Sequence, residues 1–391
     1  MKQLLLAGLL LGVGAWAEAE QAAFNVLFIT IDDLRDIGSY DPMVRKPNLD
    51  RLAASGVHFE QAYVQTTFCN PSRTSFLTGL RPTRTGVLDN STHFRDKLPD
   101  VVTLPQLFRQ NGYYTYRLGK IFHGGASMDD PASWDRAEYP ETTDLGRQGR
   151  RWYPPEKTPP WCWSLEAEGT DEDQPDGQTA ALAVEFLRQS HEKPFFLAVG
   201  FHKPHDPFVA PKAHFASYGL DEVKLHPTPA DATPTPARQI GGPWMPVFDA
   251  FSDADRKEFL RAYYAGTTFM DAQLGKVLDA LEETGLSKNT VVCLLSDHGY
   301  HLGERGWWNK STLYEYSARS PLMIRVPGMT AAGTPCRRVV EFVDIYPTLA
   351  GLCGLTPPPD LAGRNLRPLL DDPAAAWDHP AFSYIRRSAD I

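Results

Sequence analysis

The chain has 391 residues, of which 42% are hydrophobic and 22% are charged, and its formal net charge at pH 7 is −9. This composition is ordinary for a globular protein, and the length leaves room for a large α/β core. The acidic balance argues against a nucleic-acid-binding protein, because such proteins usually carry a basic face. It remains compatible with a local cationic pocket for an anionic substrate.

The N-terminal residues predict a targeting segment. Lys2 supplies a positive start, residues 4–13 are apolar, and Ala15-Trp16-Ala17 matches a small-x-small cleavage site. We interpret residues 1–17 as a signal peptide, with a retained membrane anchor as the alternative, although the apolar run is short for a bilayer-spanning helix. No later stretch is apolar enough to span, so the mature chain is expected to be secreted or periplasmic, without stable membrane insertion.

Continuous apolar runs alternate with helical patterns along the rest of the chain. The apolar runs predict buried strands at residues 24–31, 194–201 and 290–295. The helical patterns, several of which end at a glycine, lie at residues 47–55, 104–111, 179–190, 253–284 and 345–352. This alternation predicts an α/β fold in which helices cover both faces of a central, mostly parallel sheet.

Acidic or basic side chains follow each predicted strand at its carboxyl end. They are Asp32 and Asp33 after the first strand, His202, Lys203 and His205 after the second, and Asp297 and His298 after the third. In open α/β sheets the ligand site lies outside the carboxyl ends of the strands. We therefore expect these residues, which are far apart in sequence, to converge on one pocket.

Two long segments do not follow this alternation: residues 124–177 are rich in Trp, Pro, Asp and Glu, and residues 213–252 carry six prolines. Loops of this length usually serve a function or lack order. We interpret them as surface excursions that shape a substrate pocket, and variable decoration without a role is the alternative.

Five cysteines are too few for a disulfide scaffold in a chain of this length. Cys293 lies in an apolar run and is expected to be an inert core thiol. Cys162, Cys336 and Cys353 could pair or stay free. Cys69 differs from the other four because of the motif that it begins.

Residues 69–79 read Cys-Asn-Pro-Ser-Arg-Thr-Ser-Phe-Leu-Thr-Gly and contain all seven fixed residues of the pattern C-x-P-S-R-x-x-x-L-T-G. Ser72 and Arg73 are predicted to open a helix whose N-terminal amides and dipole favour an anion. A helix cap with a buried thiol is the alternative for this segment taken alone. The pattern resembles the sulfatase signature, which implies that a maturation enzyme oxidises Cys69 to formylglycine, the catalytic nucleophile.

Three carboxylates at two strand ends predict a metal site. Asp32 and Asp33 repel each other unless a cation joins them, and carboxylate oxygens suit Ca²⁺ or Mg²⁺. A solvated turn is the alternative for this pair alone, but Asp297 after another buried strand argues for a shared ion. The sulfatase resemblance implies one divalent ion, usually calcium, held by these three residues, His298 and position 69. His298 replaces the asparagine of many members and is shared with iduronate-2-sulfatase-like members.

A third set of residues is basic. Gly119-Lys120-Ile121-Phe122-His123 is similar to the G-K-x-x-H segment of sulfatases, and Lys310 matches a second sulfate-binding lysine of the family. Taken singly, a lysine is usually a solvated charge. The resemblance implies that Lys120 and Lys310 bind the sulfate and that His123 and His205 transfer protons. It also suggests that His202 and Lys203 contact the substrate.

The resemblance extends from residue 25 to about residue 370 and is closest to the iduronate-2-sulfatase-like branch. It implies an alkaline-phosphatase/sulfatase-like fold, with a catalytic domain at residues 24–355. Residues 356–391 are expected to begin a C-terminal subdomain that is apparently truncated.

The function implied by this resemblance is hydrolysis of an organic sulfate ester through formylglycine and one bound calcium ion. Arg73 and the metal would hold the nucleophile, His205 would protonate the leaving alcohol, and His123 would act as the base. The expected substrate is a sulfated carbohydrate, such as a 2-sulfated uronate. One alternative is a phosphoester or phosphonate hydrolase of the same superfamily, and another is a non-catalytic binder of sulfated glycans.

Overall fold

The computed structural model describes residues 23–227 and 245–385, so the predicted signal peptide lies outside the described residues. The strands are β1 Asn25–Ile31, β2 Val57–Tyr63, β3 Tyr114–Gly119, β4 Arg136–Glu138, β5 Gly149–Trp152, β6 Ser164–Ala167, β7 Phe195–Phe201, β8 Phe208–Pro211, β9 Thr290–Ser296, β10 His301–Leu302, β11 Trp308–Asn309, β12 Leu322–Arg325 and β13 Cys336–Glu341. The α-helices are α1 Pro47–Ser55, α2 Cys69–Thr78, α3 Pro82–Thr85, α4 Phe94–Lys97, α5 Leu104–Gln110, α6 Pro175–Leu187, α7 Lys212–Phe215, α8 Met245–Asp249, α9 Asp253–Glu283, α10 Glu315–Ala318, α11 Ile345–Leu352 and α12 Arg367–Asp371.

Eight strands form the central sheet, in the order β13-β2-β12-β9-β1-β7-β3-β4. The three predicted buried strands are its centre, because β1 pairs in parallel with both β7 and β9. Strand β12 runs antiparallel to both of its neighbours, β9 and β2. The predicted α/β fold with a mostly parallel sheet is therefore confirmed.

Both faces of the sheet are buried, which explains why its central strands are apolar without interruption. In β1, Val26 and Phe28 point into one hydrophobic core, whereas Leu27, Ile29 and Ile31 point into a second core on the opposite face. Each buried side chain of this kind stabilises the fold by about 1.5–3 kcal/mol. The strands that carry the candidate site residues are thus rigid supports.

The helix predictions are confirmed, apart from small differences at the ends. Helix α6 begins at Pro175 instead of residue 179, because proline is well suited to a first helical turn. The long helix α9 begins after Ser252, whose side chain forms a capping box with Asp255. Helix α2 begins at Cys69, three residues before the predicted start at Ser72.

The segment at residues 124–177 is more ordered than predicted. It contributes β4 to the edge of the central sheet, and β5 and β6 join β8 in a separate three-stranded sheet. Strand β5 runs antiparallel to β6, and β8 runs parallel to β6. Of the second predicted excursion, residues 228–244 lie outside the described part of the chain.

All five cysteines are free, including the three for which pairing was left open. Four of them are buried, and Cys353 is half-buried. None of the helices in the described ranges is long and apolar enough to cross a membrane.

Candidate active site

The carboxyl ends of β1, β7 and β9 lie side by side and carry most of the predicted site residues. The backbone pairing continues one residue past the strands, since the amide of Asp32 donates to the carbonyl of Phe201 (3.1 Å) and the amide of Asp297 donates to that of Ile31 (3.1 Å). The sheet thereby brings together two carboxylates that are separated by more than half of the chain.

Cys69 is the first residue of α2, and all ten residues of that helix are buried. Its Sγ atom lies 3.4 Å from Nε2 of His298 and 3.2 Å from Nζ of Lys310. Burial raises the pKa of the Cys69 thiol well above its usual range, although Lys310 acts in the opposite direction. The side chain at position 69 therefore sits at the centre of the predicted site, between a cation and an imidazole.

Arg73 lies one turn further along α2 and is completely buried. Its guanidinium donates to Asp297 (3.0 Å), to Asp32 (3.2 Å) and to the carbonyls of Lys120 and Ile121 (2.8 and 2.9 Å). Ser72 adds a hydrogen bond from its hydroxyl to the carbonyl of Asp297. These contacts satisfy a buried cation and hold helix α2 against the ends of β1 and β9.

The carboxylates differ in their surroundings. Burial acts to raise the pKa of Asp32, but Lys120, His205 and Arg73 outweigh it and hold that pKa well below its usual range. Burial raises the pKa of Asp33 in spite of the neighbouring Lys310. The surrounding cations thus favour the charged form of Asp32, whereas burial disfavours the charged form of Asp33.

Two overlapping groups of side chains could hold one cation. Ligand atoms of Asp33, Cys69, Asp297 and His298 all lie within 4.8 Å of one another, as do those of Asp32, Asp33, Cys69 and His205. Oδ2 of Asp33 is buried and has no hydrogen-bond partner. A buried, unpaired carboxylate oxygen is costly unless a cation or donor meets it, so the oxygen-rich cluster fits a hard divalent ion.

His298 is the least typical member of this cluster. Its Nδ1 atom lies 3.0 Å from the carbonyl oxygen of Gly299, which favours the tautomer with the proton on Nδ1. Nε2 then carries a lone pair and lies 3.4 Å from Oδ1 of Asp33. The ring is thus oriented as metal-binding imidazoles usually are, with one nitrogen held by a carbonyl and the other directed at the site.

The two predicted sulfate-binding lysines flank the carboxylates. Nζ of Lys310 lies 2.6 Å from Oδ1 of Asp33, and Nζ of Lys120 contacts Oδ2 of Asp32. Both ammonium groups therefore point into the site, as the predicted role requires.

Three further predicted histidines, His123, His202 and His205, lie at the site. Nε2 of His205 lies 3.9 Å from Asp32 and 3.8 Å from Asp33, and Nδ1 of His202 lies 3.6 Å from Asp32. Nδ1 of His123 is buried without a hydrogen-bond partner. Burial, and then Lys120, lower the pKa of His123 to about 3, so this imidazole is neutral at pH 7.

Lys203 is the one predicted site residue whose charged group is directed elsewhere. Its ammonium donates to the backbone carbonyls of His205 (2.8 Å) and Pro207 (2.7 Å). Sequence reasoning missed the neighbouring Asp176, whose carboxylate accepts from the backbone amides of His202 and Lys203, both at 2.8 Å. Its only sequence signal is an acidic residue in the first turn of a helix, which capping also explains.

A cavity of about 610 Å³ opens beside the cluster. Lys120, His123 and His202 form its inner end, and the segment at residues 139–165 supplies much of its wall, including Arg151 and Trp163. Trp307 and Trp308 lie close to Lys310 in sequence but are buried in the protein, so they are not available to stack on a sugar. Trp152 and Trp161 pack against a hydrophobic core, and Trp244 lies outside the described residues.

Comparisons with known proteins agree with this geometry. A family model described as "Sulfatase" matches residues 24–355. The chain is 34% identical over 414 residues to iduronate 2-sulfatase of Mus musculus, covering 91% of this chain and 74% of that protein. It is 35% identical over 360 residues to a sulfatase of Formosa agariphila, covering 85% and 69%. Phosphonate monoester hydrolase of Agrobacterium radiobacter has a similar fold, with a TM-score of 0.73 at 24% identity over 89% of this chain and 77% of that chain.

Proposed function

This chain belongs to the sulfatase family, and we propose that it hydrolyses the sulfate ester of a sulfated carbohydrate through a formylglycine made from Cys69. The observation that carries the proposal is the position of Cys69 among Arg73, Lys310 and the carboxylate cluster. Water is consumed in this reaction: the ester S–O bond breaks, the alcohol leaves with a proton, and inorganic sulfate is released.

The proposal of formylglycine rests on the signature and on the place of Cys69 in the fold. The hydrated aldehyde carries two hydroxyls, one to attack sulfur and one whose deprotonation later expels the sulfate, which a serine or cysteine lacks. Oxidation replaces the sulfur on Cβ by oxygen, so Sγ of Cys69 marks the approximate position of one of these hydroxyl oxygens. His123, which is neutral at pH 7, is our choice for the base that accepts a proton from position 69.

We assign one calcium ion to Asp32, Asp33, Asp297 and His298, together with position 69. The support is the compact set of ligand atoms and the unpaired Oδ2 of Asp33. Bound calcium would supply positive charge to the sulfuryl oxygens and to the nucleophile. The three carboxylates are the hard oxygen ligands that calcium prefers, whereas the imidazole of His298 is a softer ligand.

In the proposed reaction, the cationic side chains neutralise negative charge on the sulfuryl group. Lys120 and Lys310 approach from two sides of the carboxylate cluster, and fixed cations in a water-poor site stabilise a developing negative charge strongly. Arg73 holds the Lys120 segment next to Asp297, because it donates both to the carbonyl of Lys120 and to the carboxylate of Asp297.

His205 is our candidate for the acid that protonates the departing alcohol. Burial lowers its pKa well below the usual range in the free site. A bound sulfate ester adds negative charge beside the ring, which favours the imidazolium form. Lys203 and Asp176 would then act by holding the loop that carries His202 and His205, since their contacts are with its backbone.

A release assay tests the proposal directly. Protein co-produced with a formylglycine-generating enzyme is incubated with 2-sulfated uronate glycosides, other sugar sulfates, an aryl sulfate and a phosphonate monoester. We expect inorganic sulfate from the sugar sulfates and the highest kcat/KM on one of them. Faster turnover of the phosphonate would support the alternative hydrolase, and binding without any release would support the non-catalytic binder.

A further inference from the structure

We propose that Arg147 and Arg151 form a subsite for a second anionic group of the substrate, in the outer part of the cavity that begins at Lys120. The chemistry required is a carboxylate or a second sulfate on the same saccharide. This inference rests on the proposed function, because the inner end of the cavity is assigned to the sulfate that is cleaved.

The direction of Arg151 follows from its place in strand β5. Neighbouring residues of a strand point to opposite faces, and Arg150 and Arg151 divide in this way. Arg150 pairs with Glu166 on β6 and lies 2.9 Å from Glu258. Arg151 pairs with Leu165, and both of these residues line the cavity. Of these two neighbouring arginines, only Arg151 lines the cavity.

The charges on the two proposed arginines are not neutralised by protein carboxylates. Over residues 23–227 and 245–385, no carboxylate lies within ion-pair distance of Arg147 or Arg151, whereas Arg150 has two such partners. Both side chains are exposed and line the cavity. Two unpaired guanidinium groups at one wall produce a local positive potential in a protein with a net charge of −9.

Backbone contacts hold the two arginines in place. Arg147 donates to the carbonyl of Thr142 (2.9 Å), and Arg151 donates to the carbonyl of Arg147 (2.5 Å). The side-chain amide of Gln174 holds the same loop by donating a hydrogen bond to the carbonyl of Gly146 (2.9 Å). Each guanidinium has five N–H donors, so these bonds leave donors free for an anion while restricting where the group can lie.

Trp163 completes this wall of the cavity. The guanidinium of Arg151 lies 6.0 Å from the centre of its ring, and the half-buried indole also lines the cavity. The carbonyl of Trp163 accepts from the amide of Phe208 (2.8 Å), which ties the residue to strand β8. An aromatic face next to two cations suits a sugar ring that carries an anionic substituent.

The cavity therefore offers two separate anion sites on one path. Lys120 and His123 belong to the inner site, and Arg147 and Arg151 form the outer one. A saccharide with two negative groups can engage both sites at once, whereas a singly charged aryl sulfate uses only the inner one. The outer site would thus select among sulfated substrates without taking part in the chemistry.

The test measures binding on a Cys69→Ala background, so that it does not depend on turnover. The ligands are the methyl glycoside of a 2-sulfated uronic acid, its carboxyl-reduced analogue, and a reduced analogue with a second sulfate, each titrated by calorimetry. We expect Arg151→Gln and Arg147→Gln to weaken binding of the doubly charged ligands roughly 10- to 100-fold. Binding of the carboxyl-reduced monosulfate should change by less than about 2-fold. The ratio of the dissociation constants for the two doubly charged ligands shows whether the subsite prefers a carboxylate or a sulfate.

Arg150→Gln on the same background is the matched control, since it removes an adjacent arginine that faces away from the cavity. It should leave the preference for doubly charged ligands unchanged. Equal affinity of the parent for the carboxyl-reduced monosulfate and for both doubly charged ligands would overturn the subsite, as would equal losses for Arg150→Gln and Arg151→Gln. Sulfate release by the matured enzyme, measured separately, tests the proposed function, so either conclusion can fail without the other.

Discussion

At the scale of single residues, the proposed chemistry depends on what occupies position 69. Its Sγ atom is buried among Lys310, His298 and the carboxylates. We predict that peptide mass spectrometry of active protein will find residue 69 as formylglycine, lighter than cysteine and reactive towards hydrazide probes. Cys69→Ala should abolish turnover and retain the fold, because the lost group is small.

Activity at full level from a preparation with only unmodified cysteine at position 69 would contradict this prediction. Cys293→Ala provides the control for removal of a buried thiol, since Cys293 lies in the core of β9, away from the cluster. We expect that variant to lose some stability as a packing defect and to keep its activity.

At the scale of secondary structure, helix α6 positions the loop after β7. Asp176, at the start of α6, is the acceptor for the backbone amides of His202 and Lys203. Asp176→Ala leaves the buried amide of Lys203 and the partly buried amide of His202 without this partner, so we predict a loss of about 2 kcal/mol in the free energy of unfolding. The kcat should also fall, because the loop that carries His202 and His205 loses its anchor.

Denaturant unfolding and steady-state kinetics check this prediction, with Glu185→Ala as the control. Glu185 lies on the exposed side of the same helix, and surface substitutions of this kind usually change stability by less than about 0.5 kcal/mol. Asp176→Asn, which keeps one acceptor oxygen, should fall between the two. Wild-type stability and kinetics of Asp176→Ala would rule out the anchoring role.

At the scale of the whole molecule, the proposed calcium ion links three distant parts of the chain: the end of β1, the start of α2 and the end of β9. A ligand that binds only the folded protein stabilises it by about 2.7 kcal/mol at one hundred times its Kd. We predict that chelation lowers Tm by about 5 °C and removes activity, and that calcium restores both.

Two variants locate this effect. Asp297→Ala should bind no calcium and show no calcium-dependent rise in Tm. His298→Asn should keep much of the calcium binding and of the rise in Tm, because an amide oxygen also suits calcium. A rigorously metal-free wild-type protein with unchanged Tm and full activity would exclude the ion from the mechanism.

Local sequence was enough to predict the central strands, the family and the convergence of several site residues. The uninterrupted apolar runs identified β1, β7 and β9, since a strand buried on both faces has no polar side to alternate with. The C-x-P-S-R pattern led to the sulfatase family, which the family model and the relatives confirm. The convergence of Asp32, Asp297 and His205 also followed, because parallel strands bring their carboxyl ends to one edge.

Other features depend on contacts between segments that are distant in sequence. Arg150 and Arg151 are chemically identical neighbours, and the pairing of β5 with β6 determines which one faces the cavity. Trp307 and Trp308 lie close to Lys310 in sequence but are buried. The ammonium group of Lys203 donates hydrogen bonds to two backbone carbonyls of its own loop. Sequence specified which side chains were available, whereas strand register and packing determined which of them line the candidate site, because burial and direction are properties of the assembled chain.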